Sequence, residues 1–186
     1  DVIQPDNTSL QLLLTNAFGV IHMDMRELPE AADYFQQALV FAIRLNDPLE
    51  ISAVQNNIGR LNIYRKHPGR ALENFAEAAR QDSLSNSSIR KSVTARNQVE
   101  ALLDLVAGLK NKSDLRKSLF LQAEESIRST RRTLNESDVK ERLKLDLLQA
   151  RLWFMQKEYA KARDKAKGIL SITENYDFHQ QKLAAS

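Results

Sequence analysis

Two stretches of this chain share one local pattern. Residues 27–39 read ELPEAADYFQQAL, and residues 67–79 read HPGRALENFAEAA. Each stretch has a Pro near its start, an Ala soon after it, a Phe four residues beyond that Ala, and another Ala three residues later. A repeated pattern of this kind is typical of a supersecondary unit that buries its apolar face by stacking on a neighbouring copy. The two stretches therefore predict a repeat architecture.

The repeat has a period of 40 residues, which four pairs of matching residues define. The pairs are Gly19 and Gly59, Ala31 and Ala71, Phe35 and Phe75, and Ala38 and Ala78. Small residues at such positions let two helices approach closely, and each Phe lies one helical turn beyond its Ala on the same face. The pattern therefore predicts a pair of packed helices in each copy.

The spacing of Gly, Ala, Phe and Ala resembles the tetratricopeptide repeat, a helix–turn–helix unit that stacks into a superhelix. A similar copy lies near the C-terminal end, where Ala150 and Ala162 repeat the Gly-to-Ala offset of 12 residues and Ala166 replaces the Phe. A longer and more degenerate copy lies between, in which Asn97 follows Asn57 by 40 residues. The resemblance covers nearly the whole chain.

The resemblance implies an all-α, right-handed α-solenoid of about four helix–turn–helix repeats plus a truncated fifth. The repeats are expected at residues 9–47, 48–85, 86–136 and 137–174, and residues 175–186 are expected to begin a further helix. Helix caps and apolar periodicity predict helices at residues 8–25, 30–46, 48–66, 69–82, 86–109, 114–134, 137–156 and 159–174. The turn of the third repeat, KNKSD at residues 110–114, is expected to be longer than the others.

The composition agrees with a helical chain and excludes several classes of protein. Only 5 Gly and 4 Pro interrupt 186 residues, which favours helix almost throughout. No apolar run approaches the length of about 18 residues that a membrane-spanning helix needs, so we expect no membrane insertion. Cys is absent, which excludes disulfides and thiolate nucleophiles but does not decide the compartment.

Residues that could carry chemistry form no catalytic or metal-binding pattern. The 3 His residues are isolated, and His22 has only Asp24 nearby, at a spacing that places the two side chains on different helix faces. The 5 Gly residues are scattered, so the chain has no phosphate-binding loop. We therefore expect no enzyme activity, no metal and no cofactor.

The distribution of charge does not favour nucleic-acid binding. Residues 1–80 carry 7 basic and 10 acidic side chains, and residues 81–186 carry 20 and 14, so the second half is only mildly basic. Acidic residues are interleaved with the basic clusters, and few aromatic residues are exposed by pattern for base stacking. We therefore expect a protein or peptide partner and no nucleic acid.

In the tetratricopeptide family the first helix of each repeat lines a concave groove, and the resemblance carries that groove onto this sequence. The implied peptide-binding residues are Asn16, Val20, Met23, Asn56, Asn57, Arg60, Tyr64, Arg96, Asn97, Glu100, Lys144 and Arg151. The same offsets also reach Leu13, Asp24, Ala53, Ile63, Leu147, Phe154 and Met155. Asn can bond the backbone of an extended peptide and Arg suits carboxylates, which predicts a somewhat acidic peptide ligand. Alternatively, the Asn side chains bond neighbouring helices.

The sequence thus predicts a non-catalytic protein–protein interaction module that binds an extended peptide or partner protein in its concave groove. Two alternatives remain open. The array could be the regulatory or sensory segment of a larger multidomain signalling protein or protease, and bind intramolecularly. It could also be a self-associating scaffold that forms a homodimer through the apolar ends of the array.

Overall fold

The computed structural model describes residues 7–84, 87–109 and 114–184, with side chains as far as residue 174, and every regular element in these ranges is an α-helix. The helices are α1 (Thr8–Asp24), α2 (Leu28–Leu45), α3 (Pro48–Tyr64), α4 (Pro68–Asp82), α5 (Ser88–Gly108), α6 (Asp114–Thr133), α7 (Val139–Met155) and α8 (Tyr159–Ala184). The all-α prediction is confirmed, and the bounds of α1 to α7 lie within 2 residues of those predicted.

Consecutive helices pack as pairs, and the pairs stack along the chain. α1 packs on α2, α3 on α4, α5 on α6 and α7 on α8, and each pair also contacts the next. Each odd-numbered helix contacts the next odd-numbered helix, whereas no even-numbered helix contacts another in the part of the chain that is described. The odd-numbered helices therefore form the inner face of the stack and the even-numbered helices its outer side, as in a helical-repeat solenoid.

A Phe ring packed on a Gly joins the two helices in each of the first two repeats. Phe35 and Phe75 are both fully buried. A Cβ atom added to Gly19 would lie 2.5 Å from the Phe35 ring, and one added to Gly59 would lie 2.3 Å from the Phe75 ring. The missing side chain thus lets the helices approach closely enough for the ring to fill the groove between them. This contact explains why Gly and Phe recur together.

The turn between the two helices has the same conformation in three of the repeats. Arg26, Lys66 and Lys157 each have a positive φ, of 67°, 61° and 69°. In the second repeat the N–H of Lys66 donates to the carbonyl of Ile63 at 2.9 Å, and the next N–H donates to Asn62 at 2.8 Å. The same two bonds recur in the other two turns, and they satisfy the last carbonyl groups of the first helix in a Schellman motif.

Lys66→Gly is expected to raise the free energy of unfolding by about 0.5–1 kcal/mol, because Gly adopts a positive φ without the steric strain that a Cβ causes. The greater backbone entropy of Gly in the unfolded chain offsets part of this gain. The gain would be measured as a higher urea midpoint at an unchanged m-value. Lys91→Gly, on the exposed side of α5, is the matched control and is expected to lower the midpoint. A similar fall for both variants would contradict the prediction.

The C-terminal end of the array differs from the prediction. α8 continues without a break through residues 175–184, where a fifth repeat was expected to begin. No Pro follows Pro68 in the chain and residues 175–184 contain no Gly, so this segment has no strong helix breaker to terminate a helix that has already formed. The predicted long turn at residues 110–114 lies outside the described residues except for Asp114, which begins α6.

None of the described helices combines the length and the apolar character that crossing a membrane requires.

Candidate functional site

The inner face, formed by α1, α3, α5 and α7, carries the residues that the resemblance places in a groove. On α1, α3 and most of α5 the implied peptide-binding residues are bonded within the chain or at least partly buried. Near the C-terminal end of α7 the inner face instead opens into a cavity. The two regions therefore differ in what they can offer a ligand.

Asn side chains bridge successive helices of the inner face. Nδ2 of Asn57 on α3 donates to Oδ1 of Asn16 on α1 at 2.9 Å. Nδ2 of Asn97 on α5 donates to Oδ1 of Asn56 on α3 at 3.0 Å. The sequence predicted that these amides bind a peptide backbone. The structure brings them together in pairs, as the alternative interpretation of the Asn residues expected.

A buried polar network lies behind the second Asn bridge. Asp82, the last residue of α4, is 1% exposed, and its carboxylate accepts hydrogen bonds of 2.6 Å from the hydroxyl groups of both Ser52 and Thr94. Nδ2 of Asn56 donates in turn to Oγ1 of Thr94 at 2.7 Å. The network connects α3, α4 and α5, so Asn56 stabilises the junction between the second and third repeats.

Asn56→Ala is expected to lower the free energy of unfolding by about 1–3 kcal/mol, because it removes the hydrogen bonds to Thr94 and Asn97 and leaves the buried amide of Asn97 without this acceptor. Gln37→Ala, on the exposed side of α2, is the control, with an expected change within about 0.5 kcal/mol. Urea denaturation followed by circular dichroism measures both changes. If Asn56→Ala were as stable as the wild type, the amide would not be a structural bridge.

Three other predicted groove residues belong to the packing between the first two repeats. Met23 is fully buried in a cluster with Phe35, so it is a core residue and cannot contact a ligand on the surface. Val20 and Tyr64 are partly buried against the same cluster. The Tyr64 ring also lies 4.3 Å from the guanidinium group of Arg26, within the range of a cation–π contact.

The predicted cationic residues are paired within the chain. Nη1 of Arg60 lies 3.5 Å from Oδ1 of Asn57. Nε of Arg96 on α5 and Nζ of Lys144 on α7 lie 3.8 Å and 2.5 Å from the carboxylate oxygens of Glu141. These contacts reduce the number of donors that the inner face offers to an acidic ligand.

At α7 the inner face opens into an apolar cavity of about 780 Å³ between α7 and the start of α8, here called the α7–α8 cavity. Leu147 and Phe154 line it and are 61% and 62% exposed. The predicted groove residues Glu100 and Arg151 also line it, and Nη2 of Arg151 lies 2.5 Å from Oδ1 of Asp104. The cavity thus combines exposed apolar side chains with polar groups of both signs.

His22 and Asn62, which occupy the same position in the first two repeats, both have partners within the chain. Nδ1 of His22 lies 2.6 Å from Oε2 of Glu27, and its ring stacks on Tyr34 with centroids 5.0 Å apart. Asn62 and Asn74 lie 40 positions after His22 and Tyr34, and their side-chain amides share a hydrogen bond of 2.9 Å. Throughout the described ranges, no three His, Cys, Asp or Glu side chains are grouped to hold a metal ion.

No protein-family model matches this sequence, and no curated protein matches it at a significant level. The relation to tetratricopeptide repeats therefore remains a resemblance carried by the recurring Gly, Ala and Phe residues and by the packing of helix pairs.

Sequence reasoning did not select Tyr159 and Ala166 as site residues, yet both line the α7–α8 cavity. A signal was present in the sequence, since Ala166 occupies the position that holds Phe in the first two repeats. A small residue at a position that otherwise fills the groove between two helices indicates an unfilled space.

Proposed function

We propose that this chain is a non-catalytic protein–protein interaction module that binds a segment of a partner protein on its inner face. The observation that carries the proposal is the exposure of Leu147 and Phe154 beside the α7–α8 cavity. Large apolar side chains around a concave space with a few polar groups are typical of binding sites. Arg151 and Glu100 supply such polar groups.

The pairing of the inner-face residues refines the predicted ligand. The Asn amides bond each other, and Arg96 and Arg151 already face the carboxylates of Glu141 and Asp104. Apolar contact at α7, rather than bonds from free amides or cations, is therefore the main source of affinity in this proposal. The regulatory alternative uses the same face, with the bound segment belonging to the same polypeptide.

Selection from a displayed library of random peptides, followed by titration of a selected fluorescent peptide, tests this function. Leu147→Ser/Phe154→Ser is expected to weaken binding by at least about tenfold, because buried aromatic and aliphatic anchors dominate such interfaces. Val40→Ser/Ile43→Ser is the matched control, since it removes side chains that are 52% and 58% exposed on the outer helix α2. Loss of binding in the control alone would contradict the proposal.

Self-association is a second candidate function, and an apolar stripe on α1 favours it. Leu14 and Ile21 are 47% and 50% exposed there. Their equivalents 40 residues later, Val54 and Leu61, are 0% and 2% exposed because they pack against α2. α1 therefore presents the face that a preceding helix covers elsewhere in the stack, and a second copy of the chain would cover it.

Leu14→Glu/Ile21→Glu is expected to abolish any rise of mass with protein concentration, because each Glu would place a charge in an apolar contact. Sedimentation velocity over a range of concentrations measures the mass, and circular dichroism checks that the monomer stays helical. Val40→Glu/Ile43→Glu, on the outer side, is the control and is expected to associate like the wild type. A constant monomer mass for the wild type would contradict self-association.

A further inference from the structure

The α7–α8 cavity lies where a Phe ring is packed in the first two repeats. In the second repeat the ring of Phe75 packs on Gly59, 16 residues earlier, and is fully buried. The residues at these two positions in the fourth repeat are Ala166 and Ala150, again 16 residues apart. Both line the cavity, as does Ala162, which is the equivalent of Ala71 in the second repeat. The cavity is therefore bounded by the residues that hold the ring elsewhere.

The two replacements are consistent with each other. A Cβ at Gly59 would lie 2.3 Å from the Phe75 ring, so an Ala fits the first position only when no ring occupies the second. In the fourth repeat Ala150 is 7% exposed and Ala166 is exposed. This repeat thus lacks the internal ring and keeps an apolar space beside the helix that would have carried it.

We propose that the α7–α8 cavity binds an aromatic side chain supplied by the partner polypeptide. This proposal rests on the function proposed above and specifies the chemistry of its ligand. Phe154 and Tyr159 line the cavity with their rings edge to face and their centroids 5.5 Å apart, an arrangement on which a third ring can pack. Arg151 and Arg163 also line the cavity, and guanidinium groups in general favour the face of an aromatic ring.

The side chain of the ligand is selected by its ring and not by its charge. The lining holds the two Arg residues together with Glu100, and Arg151 and Arg163 already face the carboxylates of Asp104 and Asp164. An aliphatic side chain would gain burial but none of the ring contacts. Phe, Tyr or Trp is therefore the expected anchor of the bound segment.

NMR titration of the whole 186-residue chain with a single-residue probe tests the proposal. The probe is N-acetyl-L-phenylalaninamide, and N-acetyl-L-alaninamide is its matched control. The Phe probe is expected to shift the amide signals of α7 and the start of α8 with saturation in the millimolar range, and to bind at least about tenfold more tightly than the Ala probe. Equal shifts from both probes, or none from either, would overturn the proposal.

Ala150→Gly/Ala166→Phe restores the Gly–Phe pair of the first two repeats and fills the cavity from within. This variant is expected to keep a helical circular dichroism spectrum and to lose binding of the Phe probe. Ala76→Phe, which adds a ring on the exposed side of α4, is the control and is expected to bind the probe like the wild type. Probe binding retained by the filled variant would overturn the proposal.

A variant at an exposed position, which removes no buried side chain, guards against misfolding of the filled cavity. Tyr159→Ser, at the exposed first residue of α8, is expected to lower the affinity for the Phe probe by about 2- to 10-fold, because a ring contact is lost. Unchanged affinity in this variant would contradict the aromatic site. If Leu147→Ser/Phe154→Ser still lost peptide binding in that case, the proposed interaction function would stand without the aromatic site. The two proposals can therefore fail separately.

Discussion

Phe75→Ala is expected to lower the free energy of unfolding by about 3–5 kcal/mol, the usual loss for a large buried aromatic side chain. The ring is fully buried against Gly59 and clusters with the buried residues Ala71 and Ala101, so its removal leaves a cavity that small neighbours cannot fill. Urea denaturation followed by circular dichroism gives the loss. Phe154→Ala, at a side chain that is 62% exposed, is the control, with an expected change within about 0.5 kcal/mol. Equal losses would contradict this packing.

Gly59→Ala is expected to lower the free energy of unfolding by about 1–3 kcal/mol, although Ala is the better helix former. The added Cβ would lie 2.3 Å from Cε1 of Phe75, and the buried ring has no free space, so α3 and α4 must move apart. Gly168→Ala in α8 is the control, because no atom lies within 4 Å of its added Cβ. It is expected to raise stability by up to about 1 kcal/mol. The same sign for both changes would contradict the account.

The two substitutions are expected to couple when they are combined. Gly59→Ala/Phe75→Ala should cost less than the sum of its single variants, because the new Cβ no longer meets a ring. The double variant reproduces the pair Ala150 and Ala166 that stands at these positions in the fourth repeat. Strict additivity would show that the ring and the Gly are not in contact.

The helices could be predicted from the sequence because their signals are local. Asp47 precedes Pro48, and its carboxylate accepts a hydrogen bond of 2.9 Å from the N–H of Leu49 at the start of α3. The repeated Gly and Phe residues likewise report on contacts within one helix pair. The end of α8 was predicted wrongly because the expected period was extended into residues 175–184, where no residue stops the helix.

The candidate site was less predictable, because it depends on how one repeat sits on the next. The sequence repeats every 40 residues, yet the Asn bridges join residues 41 positions apart. Asn16 thus bonds Asn57 rather than its own repeat equivalent, Asn56. This shift of one residue arises from the angle and offset between successive helix pairs, which no local pattern encodes. A polar residue on a predicted groove face can therefore meet a neighbouring helix instead of a ligand.

Photocrosslinking of a selected peptide tests the recognition surface most directly. Benzoylphenylalanine would replace the aromatic residue of the peptide, and mass spectrometry of the digested complex would locate the crosslinked residues. The account predicts crosslinks on α7 and the first turns of α8, centred on Leu147, Phe154 and Ala166, which line the α7–α8 cavity. Crosslinks confined to α1 or to the outer helices α2, α4 and α6 would contradict it.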